Sequence, residues 1–207
     1  MSPLTDALNQ RRSIRKYQNK VVPKEIILNV LIAAGCAPSA HNSQPWRFII
    51  VENPSVKREL AERMAKELVL DLTSDGYTVD QKMQTERMQR FANAPALVIA
   101  CLTMDNLRKF PDEQRQKVER DLASESIGAA LQNLLLTASD SGLGACWYCA
   151  PAFCKSTVRE VLKIPQEVEP SALVILGYPD EVPAAPTKKA LKDYCFIDMW
   201  GQNSLSS

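Results

Sequence analysis

Histidine is nearly absent. The 207-residue chain has one, His41, and a single imidazole excludes both a multi-histidine metal centre and a two-histidine proton relay. Glycine is also sparse, at seven residues, which argues against a loop-dominated all-β fold or a glycine-rich repeat. Neither sign of charge is in excess. Twenty-five Lys and Arg against 24 Asp and Glu leave a formal net charge of +1, so no nucleic-acid surface and no anionic-membrane surface is expected. The longest apolar run, Ala94 to Leu102, is about half of what a membrane span needs. The opening Met-Ser-Pro-Leu-Thr-Asp has no basic stretch followed by an apolar one, so no signal peptide is read there. Six cysteines without an export signal then read as reduced thiols rather than a disulfide framework. These absences lead to the expectation of a soluble, cytoplasmic protein. Motifs are missing too: there is no G-x-G-x-x-G after a strand, no Walker loop, no H-E-x-x-H and no G-x-S-x-G.

Hydrophobic residues make up 45% of the chain, enough for a core that buries ~70% of the unfolded surface. Helical spacing is read over residues 3–12, 23–34, 54–72, 79–92, 113–139 and 151–162. Strands are read over 46–51, 96–103 and 171–178. Ile127, Ala130, Leu131, Leu134, Leu135 and Ala138 make one side of the fifth helix apolar and mark it as the hub of the core. Pro179, Pro183 and Pro186 turn the last stretch, 179–207, into an extended arm. The expectation is one α+β domain over 1–207, with helices around a small sheet and an exposed C-terminal arm.

Four segments could carry chemistry. Arg11-Arg12-Ser13-Ile14-Arg15-Lys16 could hold a phosphate through bidentate guanidinium donors and a hydroxyl, or be a solvated basic helix end. Pro38-Ser39-Ala40-His41-Asn42-Ser43-Gln44-Pro45 is a rigid polar ledge able to bond hydroxyls and carbonyls, or a helix-to-strand connection. Cys146, Cys149 and Cys154 are three thiols where a zinc or iron–sulfur site wants four ligands, and no metal is assigned to them. Lys188 and Lys189 complete an anion site if the fold brings them to the first basic cluster, and otherwise keep the arm soluble.

Taken in order, Arg11-Arg-Ser-Ile-Arg15, Pro38-Ser-x-x-Asn-Ser-Gln-Pro-Trp46, the apolar helix into Gly142-Leu-Gly144, the strand ending at Gly177 and the late lysine pair resemble the nitroreductase family of flavin enzymes. A finer likeness joins Asp71–Gly76, Gly144–Trp147 and Val158–Leu162 to the reductase domain fused to the glutamate ligase of the deazaflavin coenzyme F-420, with the ligase half lacking here. The resemblance implies an intertwined homodimer with FMN at the subunit interface. By motif position it assigns the phosphate to Arg11, Ser13 and one of Lys188 or Lys189, with Arg12 nearby, and the pyrimidine edge of the flavin to Arg15. It brings Pro38, Ser39, Ala40 and Asn42 from the other subunit and puts Cys146 and Trp147 in a loop over the ring. His41 stands where the family commonly has a hydroxyl residue and is a candidate substrate contact. No side chain is assigned a catalytic role, since flavin N5 would carry hydride from NAD(P)H to a small-molecule acceptor of nitro, quinone-like or conjugated type in ping-pong order. Reduction of a dehydro precursor of the deazaflavin coenzyme and a flavin-binding module without turnover are the alternatives.

Overall fold

Two stretches are apolar at every position, Ala96–Leu102 and Ala172–Leu176, and both are buried on each face. Such runs suit the centre of a sheet covered on both sides. The computed structural model, which describes residues 2–202, places them there. The strands are β1 (Trp46–Val51), β2 (Ala96–Leu102), β3 (Gly144–Tyr148) and β4 (Glu169–Gly177). They form one antiparallel sheet in the order β1-β2-β4-β3. Residues 203–207 of the expected arm lie outside the described residues.

Alternation along the central strands sorts the core into two halves. Ala96, Val98, Ala100, Leu102, Ala172, Val174 and Leu176 face α2 (Lys24–Gly35) and α5 (Glu113–Asp140). Small residues on both sides of that contact, such as Ala100, Ala172, Ala123 and Ala130, let the long helix lie close to the sheet. Leu97, Ile99, Cys101, Leu173 and Ile175 face the other way, onto α3 (Pro54–Ser74), α4 (Gln81–Ala92), the single-turn α6 (Ala150–Phe153) and α7 (Lys155–Leu162). The hub residues named from periodicity, Ile127 through Ala138, are all buried. The N-terminal α1 (Pro3–Gln10) lies apart from both core halves with no buried residue.

Helix starts follow local chemistry. Ser2, Asn53, Asp80 and Asp112 each accept a backbone N–H of the first turn, and Pro3 and Pro54 occupy first-turn positions where no N–H is needed. The structure also differs from the sequence expectation in three places. Residues 144–148 form a fourth strand, so Cys146 and Trp147 are strand residues and not part of a loop. The helix expected over 151–162 is two, broken at Cys154 (φ −131°, ψ 48°), whose thiol bonds back to the Ala150 carbonyl at 3.1 Å. Finally, α3 continues through Thr73 and Ser74 and stops only before Gly76, whose φ of +81° suits glycine. Beyond β4 the described arm has a single short 3₁₀ turn, Leu191–Asp193. No helix among the described residues is long and apolar enough to cross a membrane.

One ion cluster ties the layers together at the start of β4. Glu169 accepts two bonds from the Arg120 guanidinium (3.1 and 2.6 Å) and one from Lys155 (2.7 Å), joining α5, α7 and the sheet. The Arg120 bonds, with help from Lys155 and against partial burial, hold the Glu169 carboxyl down from 4.5 to about 2. Its stabilisation is therefore complete above pH 4.5 and is lost as the pH falls toward 2. Replacing Glu169 by Gln is expected to lower unfolding free energy by about 1 kcal/mol at pH 7, screened by its partial exposure. In urea titrations the gap between the two proteins should narrow steadily below pH 4.5 and close near pH 2.

Candidate functional site

The chain leaves α1 at Arg11 in extended conformation (φ −55°, ψ 131°) and runs along the free edge of β3. Ser13 bridges Ala145 in parallel, with Ile14 N–H donating to the Ala145 carbonyl at 3.0 Å. Tyr17 bridges Pro179, Gln18 N–H meets the Tyr178 carbonyl at 2.9 Å, and Asp180 N–H meets the Lys16 carbonyl at 3.0 Å. The Glu181 carboxylate accepts from the backbone N–H groups of both Arg15 and Lys16. Two glycines make this approach feasible. A Cβ on Gly144 would lie 2.7 Å from Ile14 Cβ, and one on Gly177 would lie 2.7 Å from the Tyr17 ring. The Tyr17 hydroxyl, buried beneath the segment, donates to the Ile14 carbonyl, and burial drives its pKa far above the ordinary range.

With Ile14 buried against Gly144, alternation turns Ser13 and Arg15 to the opposite side. There they meet a groove of about 400 Å³ closed by Leu8 and Asn9 on one flank and by Pro183–Pro186 of the arm on the other. Arg11, Arg12, Ser13, Arg15 and Lys188 line it, and no carboxylate does. None of these four cations forms an ion pair among the described residues; Arg12 is steadied by the carbonyls of Asn9 (2.6 Å) and Arg11 (2.9 Å). Arg11 to Arg15 spans about 13 Å of extended backbone. A smaller hollow of about 230 Å³ continues past Arg11 and Arg12 to Gly142–Ala145. Lys188 faces the groove and Lys189 does not line it. Such a groove, rich in donors and free of acid, suits a phosphate monoester. Cys146 lines neither the groove nor the hollow, and its buried side chain points to the sheet face carrying Ile175. Trp147 is exposed on the other face. Cys149 is exposed at the cap of α6 and Cys154 is buried in the second core half, where desolvation lifts its thiol to about 12.

The polar ledge lies elsewhere. Ala40 N–H donates to Ser126 Oγ at 3.2 Å on α5, whereas the hollow beside Arg11 touches Leu135 and Ser139 of the same helix. Nine residues of helix, about 14 Å, separate the two, so one chain does not join Pro38, Ser39, Ala40 and Asn42 to the basic groove. The ledge is itself strained and tightly bonded. His41, Asn42 and Gln44 have φ of 55°, 52° and 48° without being glycine. Gln44 N–H is caught by Ser39 Oγ (3.0 Å) and Asn106 Nδ2 bonds the Ser43 carbonyl (3.3 Å).

One residue of this region escaped the sequence reading. His41 Nε2 donates to Oε1 of Glu119 at 3.2 Å; the Glu119 side chain is only 6% exposed, and its Oε2 has no partner among the described residues. A signal existed: Glu119 stands four, seven, eight and eleven residues before Ala123, Ser126, Ile127 and Ala130, on the buried stripe of α5. A buried carboxylate with one partner is costly once that partner goes, while replacing it by an apolar residue is close to neutral. His41→Ala should therefore lower stability by about 2 kcal/mol. Glu119→Leu should cost less than about 1 kcal/mol, and urea unfolding of the two variants distinguishes them. By the same assay Gly144→Ala should cost about 1–3 kcal/mol, since Ile14 must be pushed off β3.

Comparison with known proteins adds a lineage to this geometry. The family model described as the nitroreductase family matches residues 8–178. A Methanothermobacter thermautotrophicus protein provisionally named NADH dehydrogenase/NAD(P)H nitroreductase is 34% identical over 180 residues, covering 86% of this chain and 78% of its own. Among solved structures, a BluB-like flavoprotein from Clostridium difficile superposes with a TM-score of 0.78 at 27% identity, over 94% of this chain and 98% of that one. A provisionally named nitroreductase from Desulfovibrio desulfuricans, solved with FMN, superposes with a TM-score of 0.70 at 22% identity, over 91% of this chain and 93% of that one. By both its sequence match and its fold, this chain belongs to the nitroreductase family.

Proposed function

We propose that this chain is an FMN-dependent oxidoreductase that takes reducing equivalents from NAD(P)H and passes them to a small conjugated acceptor such as a nitroaromatic, a quinone or an enone. The observation that carries the reading is the acid-free groove in which Arg11, Arg12, Arg15, Lys188 and the Ser13 hydroxyl converge. Four cations close together repel one another unless an anion compensates them, and a phosphate monoester does so through charge-assisted bonds. The Desulfovibrio relative bound to FMN and the name of the Methanothermobacter relative support the choice of flavin and donor.

When bound, FMN supplies the hydride chemistry at N5, with donor and acceptor visiting the same face in turn. The chain's residues bind and orient. Arg11, Ser13 and Lys188 hold the phosphate, with Arg12 beside them. Arg15 faces the pyrimidine edge, where a fixed guanidinium favours the reduced, more negative ring. The family resemblance assigns the backbone of Cys146 and Trp147, next to Ala145 on the strand that Ser13 bridges, to the flavin ring. Pro38, Ser39, Ala40 and Asn42 complete the site from a second copy of the chain, since within one protomer they lie at least nine residues away along α5. The exposed Leu4 and Leu8 of α1, Leu28 and Ile32 of α2 and Val118 of α5 offer the apolar surface such a homodimer needs. His41, held by Glu119, is then the candidate contact to the acceptor. The dehydro precursor of the deazaflavin coenzyme is one acceptor of the right conjugated type, and the likeness at Asp71–Gly76, Gly144–Trp147 and Val158–Leu162 supports including it.

Purified protein should show a flavin absorption spectrum, release FMN on acid treatment and oxidise NAD(P)H when given a quinone or nitro compound. Bound FMN without turnover by any acceptor would leave a binding module. A protein colourless after FMN is added would end the proposal. Arg11→Ala and Lys188→Ala should each weaken FMN binding about 10- to 100-fold, the worth of one charge-assisted bond. Lys189→Ala should leave it within about 2-fold, which is normal for a surface change.

A further inference from the structure

The segment that carries Arg15 has a second side. Beyond the phosphate groove, Arg15 also borders an open cleft of about 850 Å³ between residues 15–21, the start of α3 and the end of α4. Its charged side chains are Arg15, Lys16, Lys20, Lys57 and Arg90 against the single carboxylate of Glu86. Five of the chain's 25 cations and one of its 24 carboxylates thus gather in one place, at +4, while the remainder of a +1 chain is net −3. None of the five cations is in an ion pair among the described residues. Glu181 of the arm has its carboxylate on the backbone N–H groups of Arg15 and Lys16.

Two of the lysines are fixed rather than waving in solvent. Lys57 Nζ donates to the Ala94 carbonyl at 2.7 Å, where partial burial lowers its pKa. Lys20 Nζ sits 3.8 Å from the centre of the Tyr178 ring. Gln18, Asn19, Gln89 and Asn93 add amide donors and acceptors around them. A cleft of this size falls in the range of cofactor sites, and a local excess of one sign in a near-neutral chain concentrates ligands of the opposite sign.

We propose that this cleft binds the phosphate-bearing half of the nicotinamide donor, with Lys16, Lys20 and Lys57 taking the adenosine 2′-phosphate, so that NADPH rather than NADH is the physiological reductant. The two donors differ only by that group, which adds about −1.5 to −2 of charge. A cleft at +4 with one acid discriminates on that difference, and Arg15 joins it to the groove in which the reacting end would lie. The inference rests on the flavin reading only for the placement of the nicotinamide end; the anion site is measurable by itself.

The test is calorimetric titration of the full-length protein, equilibrated with excess FMN, with adenosine 2′,5′-bisphosphate and separately with 5′-AMP. The bisphosphate is expected to bind at least about 10-fold tighter at low salt, an advantage that shrinks as salt is raised. Lys20→Gln/Lys57→Gln should abolish the preference for the bisphosphate while leaving FMN content unchanged. If that variant does not fold, Lys16→Gln/Lys20→Gln, which changes only exposed side chains, should reduce the preference at least about 3-fold. Equal affinity for the two nucleotides, or a preference that survives the substitutions, overturns the inference. Anaerobic mixing then separates it from the flavin reading. A flavoprotein reduced equally well by NADH and NADPH defeats this inference alone, whereas a protein without flavin that still prefers the bisphosphate defeats only the other.

Discussion

The contact of Ile14 with the bare Cα of Gly144 fixes where everything else lies. It allows residues 13–17 to pair with the edge of β3 and the end of β4, and Glu181 clamps the same segment from the arm through two backbone N–H groups. A stretch with four cations in six positions would otherwise be a frayed helix end. Here its main chain is held like a fifth strand, and its side chains are sorted by alternation. Ile14 goes into the protein and Ser13 and Arg15 go out. The electrostatic cost of crowding like charges is thereby set against backbone hydrogen bonds and apolar burial, and the charges stay available to a ligand.

The long helix α5 does the complementary task. Its C-terminal half is the floor of the core, built from small and branched residues against the sheet, and its N-terminal half carries Glu119 under His41 and Ser126 under Ala40. Because both the basic groove and the polar ledge are referenced to this one rigid element, their separation is set by its rise per residue.

Much of this was legible in the chain. Caps, prolines and periodicity are local, so they mark β1 at its observed ends, β2 within a residue and α5 within one or two residues. The arm after Pro179 reads as extended from its prolines; residues 181–190 carry no helix or strand, whereas the following residues fold into the 3₁₀ turn Leu191–Asp193 and further bends. The grouping of Lys188 with Arg11–Arg15 needs the fold to decide it, because the arm returns across almost the whole sequence. What was missed is non-local or ambiguous. Residues Gly144–Tyr148 contain a glycine and a cysteine and become a strand only by pairing with β4, whose partner residues stand 25 to 33 positions later. The break at Cys154 carries no proline or glycine to announce it. Glu119 lay hidden in a charged half-helix, where only its register with the apolar stripe tells it from Glu113 or Glu125. The basic cleft drew its members from residues 15–20, α3 and α4, and a net charge of +1 gave no hint of it.

The strand order has a consequence of its own. One margin of the sheet, along β3, is already occupied by the chain's own residues 13–17, while the margin along β1 has no neighbour among the described residues. The sheet is thus polar in the sense of growth, capped on one side and open on the other. An additional strand, whether from another molecule in a crowded solution or from a misfolded copy, finds an unpaired edge beside Trp46–Val51. The safeguard there is meagre: Arg47 is the only charged residue in an otherwise apolar six-residue strand. That charge is also tied to the polar ledge, since Arg47 Nη1 donates to the carbonyls of Gln44 and Trp46, so the guard of the open margin and the shape of the ledge rest on one side chain.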